Sequence, residues 1–417
     1  MNTVLPPRRA ILLIGALQFV YVLDFMMVMP LGPDFAAALG FGASDLGWLA
    51  AALTLASIAA GICAMHVLDR FDRKPALLVV LAGLGIATLA SAWATGFASL
   101  LAARALVGLF AAPTIALGMA IIIDVTPPQA RGAAISKVMI GFSLAAIAGV
   151  PFALELAARF GWQAPFYVVS ALAALVWIAA AWLLPALRGH LNQPARTSPR
   201  QLLARPAVQT ASLMQAAAQF SAFLVIPGFS AFFMLNLGFP RAQLSLLYLA
   251  GGICALIAIQ LMGRLVDKRG PRSGVLIAST AFSFGLIPLL GIHALPLALP
   301  FVLFMAGNAA RNVGLSVANS HVPAPHERAG FMALQNIVTN TAISAAAVVS
   351  SLMLGEAEGG RLTGMSGVVI LAAVSAACVP WLLKHLQQQL RERAASAAVP
   401  PAANQAAFQP QTQRAES

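Results

Sequence analysis

The sequence predicts an all-α membrane protein with twelve transmembrane helices in two pseudo-symmetric six-helix bundles. Three observations predict it. Hydrophobic residues fill 60% of the 417 positions and charged residues 9%, with a mean hydropathy of +0.86, whereas about 25% of the residues in soluble domains are charged. Apolar runs of spanning length recur along the chain, punctuated by Gly, Pro and charged residues. Features of the first half reappear about 200 residues later in the second.

The runs place spans at 10–33, 45–67, 75–95, 98–123, 131–156, 163–184, 206–235, 242–265, 273–292, 296–320, 329–354 and 364–384. Arg8 and Arg9 ahead of the first run give it the look of a secretory signal. The run is of full spanning length and no small-residue cleavage site follows, so it is read as the first span. Residues 1–184 then form an N-terminal six-helix bundle, 185–205 a polar cytoplasmic linker, and 206–384 a C-terminal six-helix bundle. The Gln-, Ala- and Pro-rich stretch 385–417 is expected to be a disordered, dispensable cytoplasmic tail.

Most of the 25 lysines and arginines fall on the side of the two termini, against Arg159, Arg241 and Arg361 on the other side and Arg104 and Arg311 inside spans. The positive-inside rule therefore puts both termini in the cytoplasm of a bacterial inner membrane. The same rule accounts for the net charge of +12, because the basic residues are scattered between apolar runs rather than gathered into a nucleic-acid-binding patch. Cys63, Cys254 and Cys378 lie in apolar runs without Cys-x-x-Cys spacing and are read as packing residues. The six histidines form no recognisable site, and no nucleophile triad, metal spacing or phosphate-cradling loop occurs, so the chain is not expected to be an enzyme and needs no cofactor or metal.

The repeat is the most informative organisational signal. Asp69-Arg70-Phe71-Asp72-Arg73 corresponds to Asp267-Lys268-Arg269-Gly270-Pro271-Arg272, Arg131-Gly132 to Arg328-Ala329-Gly330, and Pro30 to Pro227. Two related bundles packed side by side leave a midplane cavity that opens to alternate sides as one rocks against the other.

With these residues the sequence resembles the major facilitator superfamily over essentially its whole length. Gly263-Arg264-Leu265-Val266-Asp267-Lys268-Arg269-Gly270 is close to the family's loop signature, and the first-half copy keeps Asp69, Arg70, Arg73 and Lys74 but has Met65 and Asp72 in place of glycines. The resemblance implies a cytoplasmic gate built from these residues with Arg131 and Arg328, in which a charge network locks one conformation. A solvated basic turn is the plainer alternative.

Asp24-Phe25-Met26-Met27-Val28-Met29-Pro30 looks like the first-helix motif of the twelve-helix drug/proton antiporters. Roughly 20 Å along its helix at about 1.5 Å per residue, Asp24 is expensive unless paired, protonated or hydrated, so it is either a proton carrier or gating residue or a structural aspartate bonding a neighbouring helix. Arg104-Ala105-Leu106-Val107-Gly108 is similar to the family's fourth-helix pattern, whose arginine is linked to proton coupling; snorkelling to the outer interface is the alternative. Glu155 is the second candidate carrier. Gly141 to Gly149-Val150-Pro151 resembles the fifth-helix pattern of exporters, in the form of the sugar-efflux branch, and serves as a hinge.

Arg311 lies midway along the tenth span with Asn308 on the same face and Asn312 beside it. With Gln215, Gln219, Asn336 and Asn340 these residues are candidates to line a substrate cavity, although amides also join helices in membranes. The resemblance implies a secondary active transporter performing proton-coupled efflux of a small organic solute such as a drug, sugar or metabolite. Uptake of a sugar or organic acid is the alternative on the same fold, and a non-transporting membrane sensor a more distant one. The expected partners are the lipid bilayer, a small-molecule substrate and protons, without nucleic acid, and the chain is expected to work as a monomer.

Overall fold

A computed structural model of the chain describes residues 7–67, 71–127, 130–185, 202–292, 296–323, 327–357 and 359–398. Its N-terminal bundle contains α1 (Pro7–Met27), α2 (Leu46–Val67), α3 (Arg73–Ala92), α4 (Phe97–Val125), α5 (Arg131–Leu144, continuing through a π turn at Ala145–Gly149 into Val150–Phe160) and α6 (Ala164–Leu183). The C-terminal bundle contains α7 (Pro206–Ala231, with a π turn at Phe232–Asn236), α8 (Leu244–Arg269), α9 (Pro271–Gly285), α10 (Ala298–Ser320), α11 (Arg328–Met353) and α12 (Met365–Ala398). Among the described residues, eleven helices are long and apolar enough to cross a membrane. The exception is α9, whose fifteen residues give way to a tighter turn at Ile287–Leu290. Together the two segments cover the ninth expected span.

Large apolar side chains stand on the outer surface, among them Leu12, Trp182 and Leu352, each more than 70% exposed. Such a surface suits lipid. Cys63 and Cys378 share it, which corrects their reading as packing residues, while Cys254 is half-buried.

Proline chemistry explains where α1 departs from expectation. The span expected over 10–33 ends as a helix at Met27, and a separate short helix, Gly32–Leu39, follows with Pro33 in its first turn. Pro30 lacks an N–H and its ring opposes the carbonyl four residues back, which favours a helix end there. Its repeat partner Pro227 sits inside α7, and that helix continues to Ala231 before its π turn. The same chemistry shapes α5: just before Pro151, the Val150 N–H reaches back five residues to the Ala145 carbonyl.

At the other end of the chain the expected tail begins too early. Helix α12 continues past Lys384 to Ala398 because Leu383 and Leu386 are fully buried and Leu390 packs on the same cluster as Leu202 and Phe331. Residues 399–417, and most of the linker at 186–201, lie outside the described residues.

With twelve crossings the termini share one face of the bundle, called here the terminal face; the other is the far face. The halves meet through α2 against α11 and α5 against α8. Glycine makes both crossings close. A Cβ at Gly47 would collide with the Ala347 carbonyl, and one at Gly252 would sit 2.9 Å from the Ile147 Cα in the π turn of α5.

Among the described residues, several cross-half bonds lie toward the far face. Arg241 grips Asp34 through Nε (2.9 Å) and Nη2 (2.5 Å) and also donates to the Leu154 carbonyl. The Thr54 and Ser344 hydroxyls pair at 2.5 Å. A two-stranded hairpin, β1 (Gly355–Glu356) and β2 (Leu362–Thr363), caps this face: the Ser44 N–H donates to Glu356 and the Asn236 side chain bonds both backbone groups of Leu362.

Candidate functional site

Between the halves lies a cavity of ≈200 Å³ bounded by α1, α2, α4, α5, α7, α8 and α10. Its wall is mainly aromatic and aliphatic, with Phe25, Phe223, Phe229, Phe301 and Phe304 among the lining residues. The polar side chains at the wall are Arg104, Ser143, Tyr248, Asn308 and Asn312. The Tyr248 hydroxyl is already engaged with Ser230 at 2.8 Å.

Asp24 and Arg104, read separately from the sequence, form one buried ion pair. Arg104 Nη1 donates to Asp24 Oδ2 at 3.0 Å, and the two side chains are 0% and 1% exposed. The second carboxylate oxygen accepts from the Thr88 hydroxyl at 3.0 Å. Arg104 Nη2 donates to Ser91 Oγ at 2.5 Å, and the guanidinium faces the Phe166 ring at 5.1 Å. The cluster thus joins α1, α3, α4 and α6. This burial excludes snorkelling for Arg104. Thr88 and Ser91 went unrecognised in the sequence, since a hydroxyl on an apolar span carries no signal of what it touches.

Glu155 has a different setting. It pairs with Arg159 one helical turn away on a half-exposed face and accepts a longer bond from Ser245. The structure therefore does not bring it to the Asp24–Arg104 pair or to the cavity wall.

The predicted amide cluster splits in two. Gln219 Nε2 donates to Asn312 Oδ1 at 3.2 Å, and Arg311 Nη2 donates to both Asn308 Oδ1 (3.0 Å) and the Ala218 carbonyl (2.8 Å), tying α10 to α7. Arg311 is fully buried over the Phe282 ring, whose centroid is 4.3 Å away. Gln215 instead joins Thr339 of α11, and Asn340 bonds Asn336 within that helix. None of the three is among the cavity-lining residues; Gln215 joins α7 to α11, whereas Asn336 and Asn340 bond each other along one helix.

On the terminal face, Arg73 lies 3.5 Å from Asp124 of the same half and Asp72 caps α3 by accepting from the Lys74 N–H. Arg131 donates to the Thr126 carbonyl. Asp267, Lys268 and Arg269 are exposed in the last turn of α8, where cations complement the helix dipole. Gly270, at φ +77°, turns the chain into α9 as its N–H caps the Val266 carbonyl. Arg205, missed in the sequence, makes a two-pronged bond to Glu327 at 2.7 Å per prong, which raises the arginine's pKa above its ordinary value. Asp69 and Arg70, with the side chain of Arg328, lie outside the described residues.

In α5, the expected hinge glycines have contacts as well as freedom. A Cβ on Gly141 would strike the Gly15 carbonyl of α1, and one on Gly149 would meet Leu23 Cδ1 at 2.9 Å. They let α1, and with it Asp24, lie close against α5.

Two linked six-helix bundles around a central cavity define a polytopic membrane transporter fold. The family model of the Major Facilitator Superfamily matches residues 14–210 and again 211–412, so the chain belongs to that superfamily, a family of transporters and not of enzymes. A chloramphenicol efflux pump of Mycobacterium tuberculosis is 28% identical over 214 residues, 51% of this chain and 52% of its own. The chain thus spans about half the length of that relative. A chloramphenicol resistance protein of Streptomyces lividans is 23% identical over 82% of this chain and 86% of its own, and a probable sugar efflux transporter of Mannheimia succiniciproducens is 28% identical over 61% and 63%. Among solved structures, the nucleoside transporter NupG superposes with a TM-score of 0.72 at 14% identity, covering 90% of this chain and 99% of that one. An inward-facing bacterial homologue of the human lysosomal transporter Spinster gives 0.69 at 15% identity, covering 92% and 98%. These likenesses show the fold.

Proposed function

We propose that the chain is a proton-driven exporter that moves a small organic solute out across the bacterial inner membrane by alternating access, with both termini cytoplasmic. The observation that carries the proposal is the buried Asp24–Arg104 pair at the cavity wall: Arg104 borders the cavity while Asp24 lies behind it on α1. A buried pair is costly to break, because removing one charge leaves the other uncompensated. Protonating Asp24 does that chemically. It frees the Arg104 guanidinium from its counter-charge and loosens α1 from α4, so proton occupancy biases how the N-terminal bundle packs.

The far-face bonds of Arg241 with Asp34 and of Thr54 with Ser344 support an inward-facing arrangement, with access from the cytoplasm. Loading solute from that side and releasing it on the other requires these bonds to open as the halves rock. The basic residues on the terminal face support the orientation. The exporter direction is supported by the relatives named as efflux pumps.

The test uses everted membrane vesicles with an imposed proton gradient and a panel of drugs, sugars and organic acids, comparing wild type with Asp24→Asn. Gradient collapse by a compound in wild type alone supports antiport through Asp24. Equal collapse in both proteins removes Asp24 from the coupling step, and compound accumulation by intact cells reverses the direction.

A further inference from the structure

We propose that the C-terminal-bundle side of the cavity is a hydrogen-bond-donor subsite, formed by Asn308 and backed by the uncompensated Arg311 guanidinium, that selects a solute with an anionic group on an apolar body. This rests on the transport reading and names the chemistry of its solute.

The orientation of the Asn308 carboxamide is forced. A guanidinium only donates, so the Asn308 atom 3.0 Å from Arg311 Nη2 has to be Oδ1. The remaining end of the amide, an NH₂ with two donors, is what Asn308 offers the cavity it lines. Asn312, also on the wall, pairs with the Gln219 amide at 3.2 Å.

Charge points the same way. Arg104 is balanced by Asp24, but among the described residues Arg311 has no carboxylate partner, and its Nε and Nη1 are buried without an acceptor. A buried cation without a counter-charge is strongly disfavoured, and an anion held on the adjoining Asn308 amide relieves it. A cationic solute would find no such welcome. Asp24 is absent from the wall and both of its oxygens already accept bonds. Phe25, Phe223, Phe229 and Phe301 are left to hold an apolar, ring-sized body.

The test uses the purified full-length chain and three probes with one aromatic body, naphthoate, naphthamide and naphthylmethylammonium. Their affinities are ranked by thermal shift and fluorescence titration, and flux is measured separately in proteoliposomes. Wild type is expected to hold naphthoate about tenfold or more above the ammonium probe. Asn308→Asp, which gives Arg311 a carboxylate, is expected to erase that preference, while Arg311→Lys retains it. Where Asn308→Asp fails to fold, Arg311→Gln removes the buried cation and is expected to show the same loss, and an anion preference that survives it overturns the inference.

Equal binding of the three probes, a cation preference, no binding at all, or an anion preference that survives Asn308→Asp overturns the inference. Flux without the ordering overturns it and leaves the transport reading standing. The ordering without flux keeps the subsite and overturns the transport reading.

Discussion

Arg104 Nη1 lies 3.0 Å from Asp24 Oδ2, a buried contact between helices that are 80 positions apart in the chain. Thr88 and Ser91 hydroxyls bond the carboxylate and the guanidinium Nη2, while Arg104 Nε is buried without a partner, so removal of the pair has a defined signature. Asp24→Ala and Arg104→Ala should each cost about 3–5 kcal/mol, since each leaves a lone buried charge. The double variant should cost less than the sum of the two. Thermal unfolding of the four proteins in detergent gives the coupling, and strict additivity would show that the two side chains do not interact.

The glycine crossings make a second prediction. Gly47→Leu and Gly252→Leu insert side chains where even a Cβ meets the backbone of the opposite half. Both should wedge the far face apart and abolish transport; Gly47→Leu, away from the cavity wall, should leave solute binding in place, whereas Gly252 lines the cavity and its variant should weaken binding as well. Alkylation of a cysteine placed at Ser344, beneath the Thr54 contact, reports the opening from the far side. Unchanged labelling would mean that these crossings do not seal that face.

Gly141 and Gly149 should differ in their tolerance of alanine. The added methyl at Gly141 strikes the Gly15 carbonyl, which is backbone, whereas at Gly149 it meets the end of the Leu23 side chain, which can turn aside. Gly141→Ala is expected to cost about 1–3 kcal/mol, as overpacking does, and Gly149→Ala less. Melting temperatures of the two variants rank them.

The extension of α12 separates structure from tail. Truncation after Lys384 removes Leu386, which is fully buried, and Leu390, which packs beside it. Losing one large core side chain costs about 2–5 kcal/mol, so this truncation should lower the melting temperature clearly. Leu386→Ala alone should reproduce much of the loss.

The sequence carried the fold class well because each spanning helix announces itself by length and hydropathy, and the structure contains all twelve expected spans to within a few residues at most ends. It failed where one residue's context decides. Pro30 and Pro227 occupy matching places in the repeat, yet one ends its helix and the other is accommodated within it. Past Lys384 the composition turned polar, but Leu386 and Leu390 still kept helical spacing onto a core. Their period was the signal that the tail reading passed over.

For the site, Asp24, Arg104, Asn308 and Arg311 stood out because polar groups within apolar spans are rare. Their partners did not. Which arginine meets which carboxylate depends on helix packing, and the cavity's phenylalanines resemble those that face lipid. Arg241 was visible as a far-face charge, but its partner Asp34, on the short helix Gly32–Leu39, was not; only the folded chain brings that helix to the turn Arg241–Gln243 ahead of α8.

The most direct test of the account measures protons and solute together. Proteoliposomes carrying the purified chain, loaded with a solute found by the vesicle screen and a pH-sensitive dye, report proton movement as the solute runs down its gradient. Wild type should move protons opposite to the solute. Asp24→Asn should still exchange labelled for unlabelled solute but move no protons with net flux. If Asp24→Asn moves protons and solute at the wild-type ratio, the buried Asp24–Arg104 pair is not the coupling element and the central claim fails.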